Sequence, residues 1–155
     1  MTLETLIAYI CKTYPRPDDL SKARLNKIIY LADWKACLTK GEQISSISWK
    51  YNHYGPYVED VITEVRKSAI LFCVEKATIF GTPKEVITCT ADYEITLGEP
   101  AGSTIDEVIA DTANMNWSSF IDLVYSTYPI VTQPKHSQLN LKALAKQYVA
   151  EEHKA

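Results

Sequence analysis

The sequence predicts one α+β domain that is mostly helical, with five or six helices and a small antiparallel sheet of two or three strands. Apolar residues recur at helical spacing over most of the chain, which is typical of amphipathic helices packed on a core. The exceptions are residues 46–51, 70–75 and 85–90, where β-branched and apolar residues cluster or alternate as in strands. A chain of 155 residues suits a single domain, residues 1–155, that buries a core without disulfides or a metal.

The first two helices have clear start and stop signals. Residues 3–13 carry an apolar stripe, Thr2 can cap the helix, and Pro15 stops it because proline lacks the amide hydrogen that a continuing helix needs. The second helix is predicted to start near Ser21 and to end before Gly41, a residue suited to a left-handed C-terminal cap.

A third helix is predicted to follow Gly55-Pro56 and to run to about Lys67. Proline is tolerated at the first helical position because that amide has no partner inside the helix. Acidic residues in the first turn and basic residues in the last turn match the helix dipole; they are Glu59, Asp60, Arg66 and Lys67.

The middle of the chain is predicted to form a β-hairpin from residues 70–75 and 85–90, with a turn longer than two residues over 78–84 that contains Gly81. A two-stranded ribbon is marginal by itself, so it has to pack on the helices or pair with a third strand. Residues 46–51 are the candidate third strand, because apolar and polar residues alternate along them.

The last third of the chain is predicted to be helical. Thr104 and Glu107 have the spacing of a capping box, which would start the next helix there. A further helix carries an apolar stripe from Trp117 and is expected to end before Pro129. Asn140 is placed to cap the final helix.

The charge balance excludes some classes of partner. The formal net charge is −3, whereas a nucleic-acid-binding module usually has a basic surplus, so we expect no nucleic-acid partner. The longest apolar runs are short and interrupted by charged residues, and no signal peptide is evident. We therefore expect a cytoplasmic protein with no membrane partner.

The four cysteines give no metal-ligand pattern. None of them has a second cysteine or a histidine at the spacing of a zinc site, so we expect neither a metal nor another cofactor. Reduced and mostly buried thiols are the simplest expectation for a cytosolic protein, and a Cys73–Cys89 pair across the predicted hairpin stays open.

No catalytic motif stands out, and the protein is predicted not to be an enzyme. The glycines are isolated, so there is no phosphate-binding loop, and neither a nucleophile elbow nor a metalloprotease helix is present. A hydrolase that uses Cys37 or His53 is kept as a hypothesis, because nucleophile and base meet in space rather than in sequence. A turn role for His53 and a buried, unreactive Cys37 are favoured over it.

The second helix has a mixed face opposite its core stripe. Arginine, lysine, tryptophan and leucine share this face within about 100°; the residues are Arg24, Lys27, Leu31, Trp34, Lys35 and Leu38. Burial under the hairpin or the last helices is favoured, with the cations extending to solvent. A protein interface and a nucleic-acid face are the two alternatives.

Two segments carry a resemblance to a known family. Residues 20–34 read LSKARLNKIIYLADW, and residues 49–67 read WKYNHYGPYVEDVITEVRK. The pattern of a leucine–lysine–apolar–tyrosine helix, a glycine and an aromatic segment ending in Tyr-Gly-Pro resembles the Panacea, or SocA-like, antitoxin domain family. In this chain the pattern falls on Leu25, Lys27, Ile28, Tyr30, Ala32, Gly41, Trp49, Tyr51, Tyr54, Gly55 and Pro56.

The resemblance implies an antitoxin of a type II toxin–antitoxin system, which neutralises a protein toxin by direct binding and without catalysis. The toxin is then expected to be the product of an adjacent gene. A DNA-binding transcriptional regulator and a proteolytic adaptor of phage origin are the alternatives, and a homodimer is left open.

Partner contacts are expected on the aromatic segment, defined as residues 49–57, and on the second helix. Tyrosine, tryptophan and arginine dominate binding energy at protein interfaces. The expected partner-binding residues are Trp34, Trp49, Tyr51, His53, Tyr54, Tyr57, Arg24 and Lys27. For each of the aromatic residues among them, packing in the core or in a turn is the alternative.

Overall fold

The computed structural model describes residues 1–79 and 82–154 and confirms the predicted mostly helical α+β class. Among these residues the helices are α1 (Leu3–Thr13), α2 (Lys22–Lys40), α3 (Asp60–Lys67), α4 (Ala101–Thr112), α5 (Trp117–Tyr125), α6 (Tyr128–Thr132) and α7 (Leu141–Lys154). The strands are β1 (Trp49–Asn52), β2 (Gly55–Pro56), β3 (Phe72–Ile79), β4 (Thr82–Cys89) and β5 (Gln138–Leu139). A short 3-10 turn, Pro17–Asp19, precedes α2.

Local capping signals fix the ends of the first two helices as predicted. The Thr2 Oγ1 accepts a hydrogen bond from the Thr5 amide at 3.1 Å, and the Ser21 Oγ accepts one from the Arg24 amide at 3.1 Å. Gly41 ends α2 in the left-handed region, with a φ of 81°. These caps satisfy backbone groups that have no partner inside a helix.

Helix α2 is the centre of the fold. It packs against α4, α7 and β4, and nearly every turn of it is buried on all sides. The largest fully buried side chains of the protein include Tyr30 of α2, together with Trp49 and Phe120. A helix surrounded in this way has no amphipathic face, so its polar residues must find partners inside the protein.

The third strand is not where the sequence placed it. Strand β1 does not join the β3–β4 hairpin but lies between β2 and β5 in a separate three-stranded antiparallel sheet. The physical reason is that β2 and β5 already pair with both edges of β1. The outer edge of β4 is occupied as well. The Ile87 amide donates to the Leu20 carbonyl at 3.0 Å, and Ser21 forms an isolated bridge with Val86.

The third helix ends at Lys67 as predicted, but its predicted start at Gly55-Pro56 was wrong. These two residues form β2, with Pro56 opposite Tyr51 and Gly55 opposite Asn52, and α3 begins only at Asp60. Gly55 has a φ of 94°, which a helical start cannot have.

The strands of the hairpin are longer than predicted. They pair from Phe72 opposite Cys89 to Ile79 opposite Thr82, so residues expected in the turn belong to the ladder. Gly81, placed in the turn by the sequence, lies outside the described residues. The four cysteines are free, so the Cys73–Cys89 pair that the sequence left open does not form.

One helix boundary in the last third differs from the prediction. Helix α4 begins at Ala101 rather than after a Thr104 cap, and the Thr104 hydroxyl donates to the Pro100 carbonyl at 3.0 Å. The helix from Trp117 ends at Tyr125, before Pro129 as predicted, and Pro129 lies in the first turn of α6 because an early proline loses no helical hydrogen bond. No helix in the described ranges is long and apolar enough to cross a membrane.

Candidate partner-binding site

The aromatic segment folds into a tight, well-supported loop. Strands β1 and β2 are joined by His53 and Tyr54, and the Asn52 Oδ1 accepts a hydrogen bond from the His53 amide at 2.9 Å. A Cβ on Gly55 would lie 3.4 Å from the ring of Tyr125, so the loop also rests against α5. Backbone pairing and this close approach hold the loop in one conformation.

This loop presents two rings to solvent. Tyr54 is 75% exposed, and its ring meets that of His53 edge to face with the centroids 4.5 Å apart. An exposed aromatic ring on a fixed backbone loses little conformational freedom when it binds a partner. Of the eight expected contact residues, His53 and Tyr54 are the ones that the structure leaves fully accessible, with Tyr57 half-buried.

The other expected contact residues lie in the interior. They are Arg24, Lys27, Trp34, Trp49 and Tyr51, each at most 9% exposed. In this conformation they offer little surface to a partner, and their surroundings show the contacts that they make inside the protein.

Trp49 is held by a buried carboxylate that the sequence-based prediction missed. The Asp33 Oδ2 accepts a hydrogen bond from the Trp49 indole at 2.8 Å. The Asp33 Oδ1 accepts from the amides of Ile44 and Ser45, each at 2.9 Å. Burial raises the pKa of the Asp33 carboxyl, and the hydrogen bonds from Ser45, Trp49 and Ile44 oppose that rise. One side chain thus ties the loop after α2, and the start of the aromatic segment, to the central helix.

A signal for Asp33 was present in the sequence. Asp33 lies four residues after Ile29 and three before Ala36, so it shares their buried face of α2. An acid on a buried stripe needs hydrogen-bond donors, and those donors come from a loop whose path the sequence does not reveal.

Arg24 fastens α2 to the α4–α5 connection. Its guanidinium donates to the Tyr14 hydroxyl at 3.1 Å and to the Met115 carbonyl at 3.0 Å. The same group lies 4.6 Å from the centroid of the Phe120 ring and 5.9 Å from that of Trp117, which are cation–π distances. Arg24 is therefore a packing and hydrogen-bonding residue of the interior.

The remaining residues of the mixed α2 face are engaged in a similar way. Trp34 stacks on Tyr128, with the ring planes 6° apart, and meets Tyr148 edge to face. Burial lowers the pKa of Lys27 to about 8. The Lys35 amine lies 2.7 Å from a Glu107 carboxylate oxygen. The favoured expectation, burial of this face under the last helices, is confirmed for Trp34.

The thiols of Cys11 and Cys37 are poor nucleophiles. Burial raises the pKa of Cys11 to about 12 and that of Cys37 to about 11, so both stay protonated near neutral pH. In the ranges 1–79 and 82–154, no three histidine, cysteine or acidic side chains are grouped to hold a metal ion.

A second surface feature lies at the start of α2. An open groove of about 1,030 Å³ separates the start of α2 from the end of the hairpin and the start of α5. Lys22, Lys76 and Lys84 line it, together with Trp117, which is 47% exposed. The sequence placed Trp117 on a core stripe, but it lies at the first position of α5, where its ring is only half covered.

Comparison with known proteins identifies the family. A family model described as "Antitoxin SocA-like, Panacea domain" matches residues 25–129, from α2 to the start of α6. The matched region includes both the aromatic segment and the hairpin. No curated protein and no solved structure matches the chain. Because the family model covers more than half of the chain, the protein belongs to the SocA-like antitoxin family of Panacea domains.

Proposed function

We propose that this protein is the antitoxin of a type II toxin–antitoxin pair and that it neutralises its toxin by direct binding, without catalysis. Family membership carries the proposal, because the matched domain is described as antitoxin-like. The toxin is the product of an adjacent gene, and binding takes place in the cytoplasm.

The loop of the aromatic segment is the proposed contact. Tyr54 and His53 supply exposed rings, and the half-buried Tyr57 lies three residues after Tyr54, directly after β2. Binding energy at protein interfaces concentrates in a few aromatic anchors surrounded by contacts of little energy. A fixed loop with one large exposed tyrosine at its tip has the form of such an anchor.

The buried members of the expected set act on binding indirectly. Trp49 and Tyr51 lie on β1, and Asp33 fixes Trp49, so these residues set where the loop projects from the domain. Arg24, Lys27 and Trp34 stabilise the packing of α2. Each of them is a positioning or structural residue in this proposal.

The alternative of a DNA-binding regulator finds little support on α2. Arg24 and Lys27 are buried, and Lys35 is paired with Glu107, so this helix offers no basic stripe to a phosphate backbone. Direct protein binding fits the exposed side chains better.

Co-expression tests the proposal. The product of the adjacent reading frame is expressed alone and together with this protein, and colony growth is measured. We expect growth arrest with the neighbour alone and recovery when the protein is present. A neighbour that is harmless alone, or whose toxicity is unchanged, contradicts the proposed function.

A matched pair of variants tests the contact. Tyr54→Ala removes the exposed ring of the loop, and Tyr93→Ala removes a tyrosine that is 55% exposed elsewhere. We expect Tyr54→Ala to weaken rescue of growth and Tyr93→Ala to leave it unchanged. Equal rescue by both variants places the contact away from Tyr54.

A further inference from the structure

The β3–β4 hairpin has two edges that differ in how they are covered. On β4, the Ile87 amide is bonded to Leu20, the next bridge joins Val86 to Ser21, and Pro83 lacks an amide hydrogen altogether. Proline and a covering segment are two of the ways in which proteins protect a strand edge from further pairing. The β4 edge is therefore closed.

The β3 edge is open over its outer half. The Thr90 amide donates to the Leu71 carbonyl, so Leu71 and Thr90 form a hydrogen-bonded pair. Along an antiparallel ladder every second pair is hydrogen-bonded, and the register fixes which pairs these are. Glu75 and Ala77 therefore bond to β4, whereas the N–H and C=O groups of Val74, Lys76 and Thr78 point away from it. In the described ranges no other strand pairs with β3, and the Phe72 amide is taken by Ser68.

A row of unpaired backbone donors and acceptors recognises one kind of ligand, an extended peptide backbone. We propose that the edge from Val74 to Thr78 receives an extended segment of the partner protein, which adds to the hairpin as a third strand. This inference rests on the proposed function, because the partner is the same toxin, and it adds a second contact to the loop at Tyr54.

The charges on β3 oppose the alternative occupant, a second copy of this chain. If two copies of β3 paired antiparallel through Val74, Lys76 and Thr78, then Val74 would face the second copy's Thr78 and Lys76 would face its Lys76. In the neighbouring register, where Val74 faces Lys76, the two copies of Glu75 would face each other. Like charges at directly opposed positions destabilise a strand pair, so these registers disfavour a dimer.

The charge around the edge indicates the chemistry of the incoming strand. Lys76 lines the groove described above together with Lys22 and Lys84, against two acids, Asp19 and Glu85, while the fourth basic lining residue, Arg24, is buried. This end of the molecule is locally basic in a chain whose net charge is −3. A partner strand with a carboxylate opposite Lys76 is therefore favoured over a basic one.

The end of the aromatic segment lies near the hairpin. Arg66 of α3 lies 3.7 Å from a Glu85 carboxylate oxygen on β4. Tyr57 lies near enough to both for their charges to act on its pKa, which burial raises.

Amide hydrogen exchange measured by NMR tests the inference directly. The probe is the product of the adjacent reading frame, purified in complex with this protein. We expect exchange at Val74, Lys76 and Thr78 to slow by roughly tenfold or more on binding. Glu75 and Ala77 serve as internal controls, because their amides already bond to β4 in the free protein.

A pair of variants separates the backbone from the side chain. Lys76→Pro removes an outward amide while leaving the β3–β4 hydrogen bonds in place, and Lys76→Thr removes the charge but keeps the amide. We expect Lys76→Pro to weaken binding roughly tenfold or more and Lys76→Thr to weaken it less. Equal losses in the two variants overturn the strand-addition model.

The outcomes distinguish this inference from the proposed function. A complex that neutralises the toxin but leaves the three amides at their free exchange rates overturns strand addition alone. A neighbour that neither binds nor is neutralised overturns both. Slow exchange in the isolated protein, with a dimer in sedimentation, assigns the edge to a second copy and overturns the partner strand.

Discussion

Helix α2 and the aromatic segment contain the same types of side chain in opposite surroundings. Arginine, lysine and tryptophan on α2 are enclosed by α4, α5 and α7, whereas the loop of the aromatic segment carries Tyr54 and His53 into solvent. Residue types that are common at protein interfaces therefore stabilise the interior in one region and form accessible surface in the other. The two regions should respond differently to substitution, and the expected effects can be ranked by the free energy of unfolding.

The largest effect is expected at Asp33. Asp33→Ala leaves the Trp49 indole and the amides of Ile44 and Ser45 without their acceptor. Because buried donors without partners cost about 1–3 kcal/mol each, we expect a loss of about 3 kcal/mol or more in urea denaturation. Asp92→Ala, at an exposed position, is the control and should change stability by less than about 0.5 kcal/mol. A loss below about 1 kcal/mol at Asp33 contradicts the role assigned to it.

A gain of stability is expected at Lys27, whose side chain is 2% exposed. Lys27→Met keeps the length of the chain and removes a buried amine. Because the pKa of Lys27 falls from 10.5 to about 8 on folding, the unfolded chain holds more protons than the folded one between those values. Stability of the wild type should therefore rise with pH from about 8 to 10.5, by up to about 3 kcal/mol.

Lys27→Met should abolish that rise and add about 1–3 kcal/mol at pH 7, measured by urea denaturation over a pH series. Lys35→Met is the matched control on the same helix, because the Lys35 side chain is 35% exposed and paired with Glu107. If the two variants have the same pH profile, burial does not depress the pKa of Lys27.

A smaller loss is expected at the turn of the aromatic segment. Gly55→Ala places a Cβ on a residue with a φ of 94° and 3.4 Å from the Tyr125 ring. Backbone strain of this kind costs about 1–3 kcal/mol, measured as a lower melting temperature and a lower free energy of unfolding. Gly98→Ala is the control, since its φ is not positive and nothing lies within 4 Å of the added Cβ. Equal stability of the two variants would contradict a turn held in this conformation.

The smallest effect on stability is expected at Tyr54. Tyr54→Ala should change the free energy of unfolding by less than about 0.5 kcal/mol, because the ring is mostly in solvent. Affinity for the toxin should fall roughly tenfold or more in a calorimetric titration. If Tyr54→Ala lowers the free energy of unfolding as well as the affinity, the loop stabilises the fold in the same way as α2, and the contrast between the two regions is wrong.

Helix ends were predictable because their causes are local. Thr2, Ser21 and Asn140 cap backbone amides three residues away, so their spacing in the sequence carries the information. Gly41 likewise ends α2 through its own φ. These features hold whatever the rest of the chain does, since the interacting groups are neighbours in sequence.

Pairing between distant segments was predicted less well. Strand β1 was assigned to the hairpin because apolar and polar residues alternate along it. That pattern indicates only that one face of the strand is buried, and it does not identify the strand that pairs with it. Strand β1 pairs on both edges with β2 and β5, and the Leu20–Ser21 segment occupies one edge of the hairpin. Gly55-Pro56 was similarly assigned by local rules to a helix start, while pairing with β1 makes it a strand.

The sequence by itself determined the class of fold, most helix boundaries and the family resemblance, because periodicity, caps and a spaced motif are local properties of the chain. Only the tertiary structure decided which of the aromatic and basic side chains expected to bind a partner are accessible. Trp49 and Tyr54 belong to one short segment, yet one is buried on Asp33 and the other is 75% exposed. Exposure depends on what the rest of the chain packs against a residue, and that is set by long-range contacts.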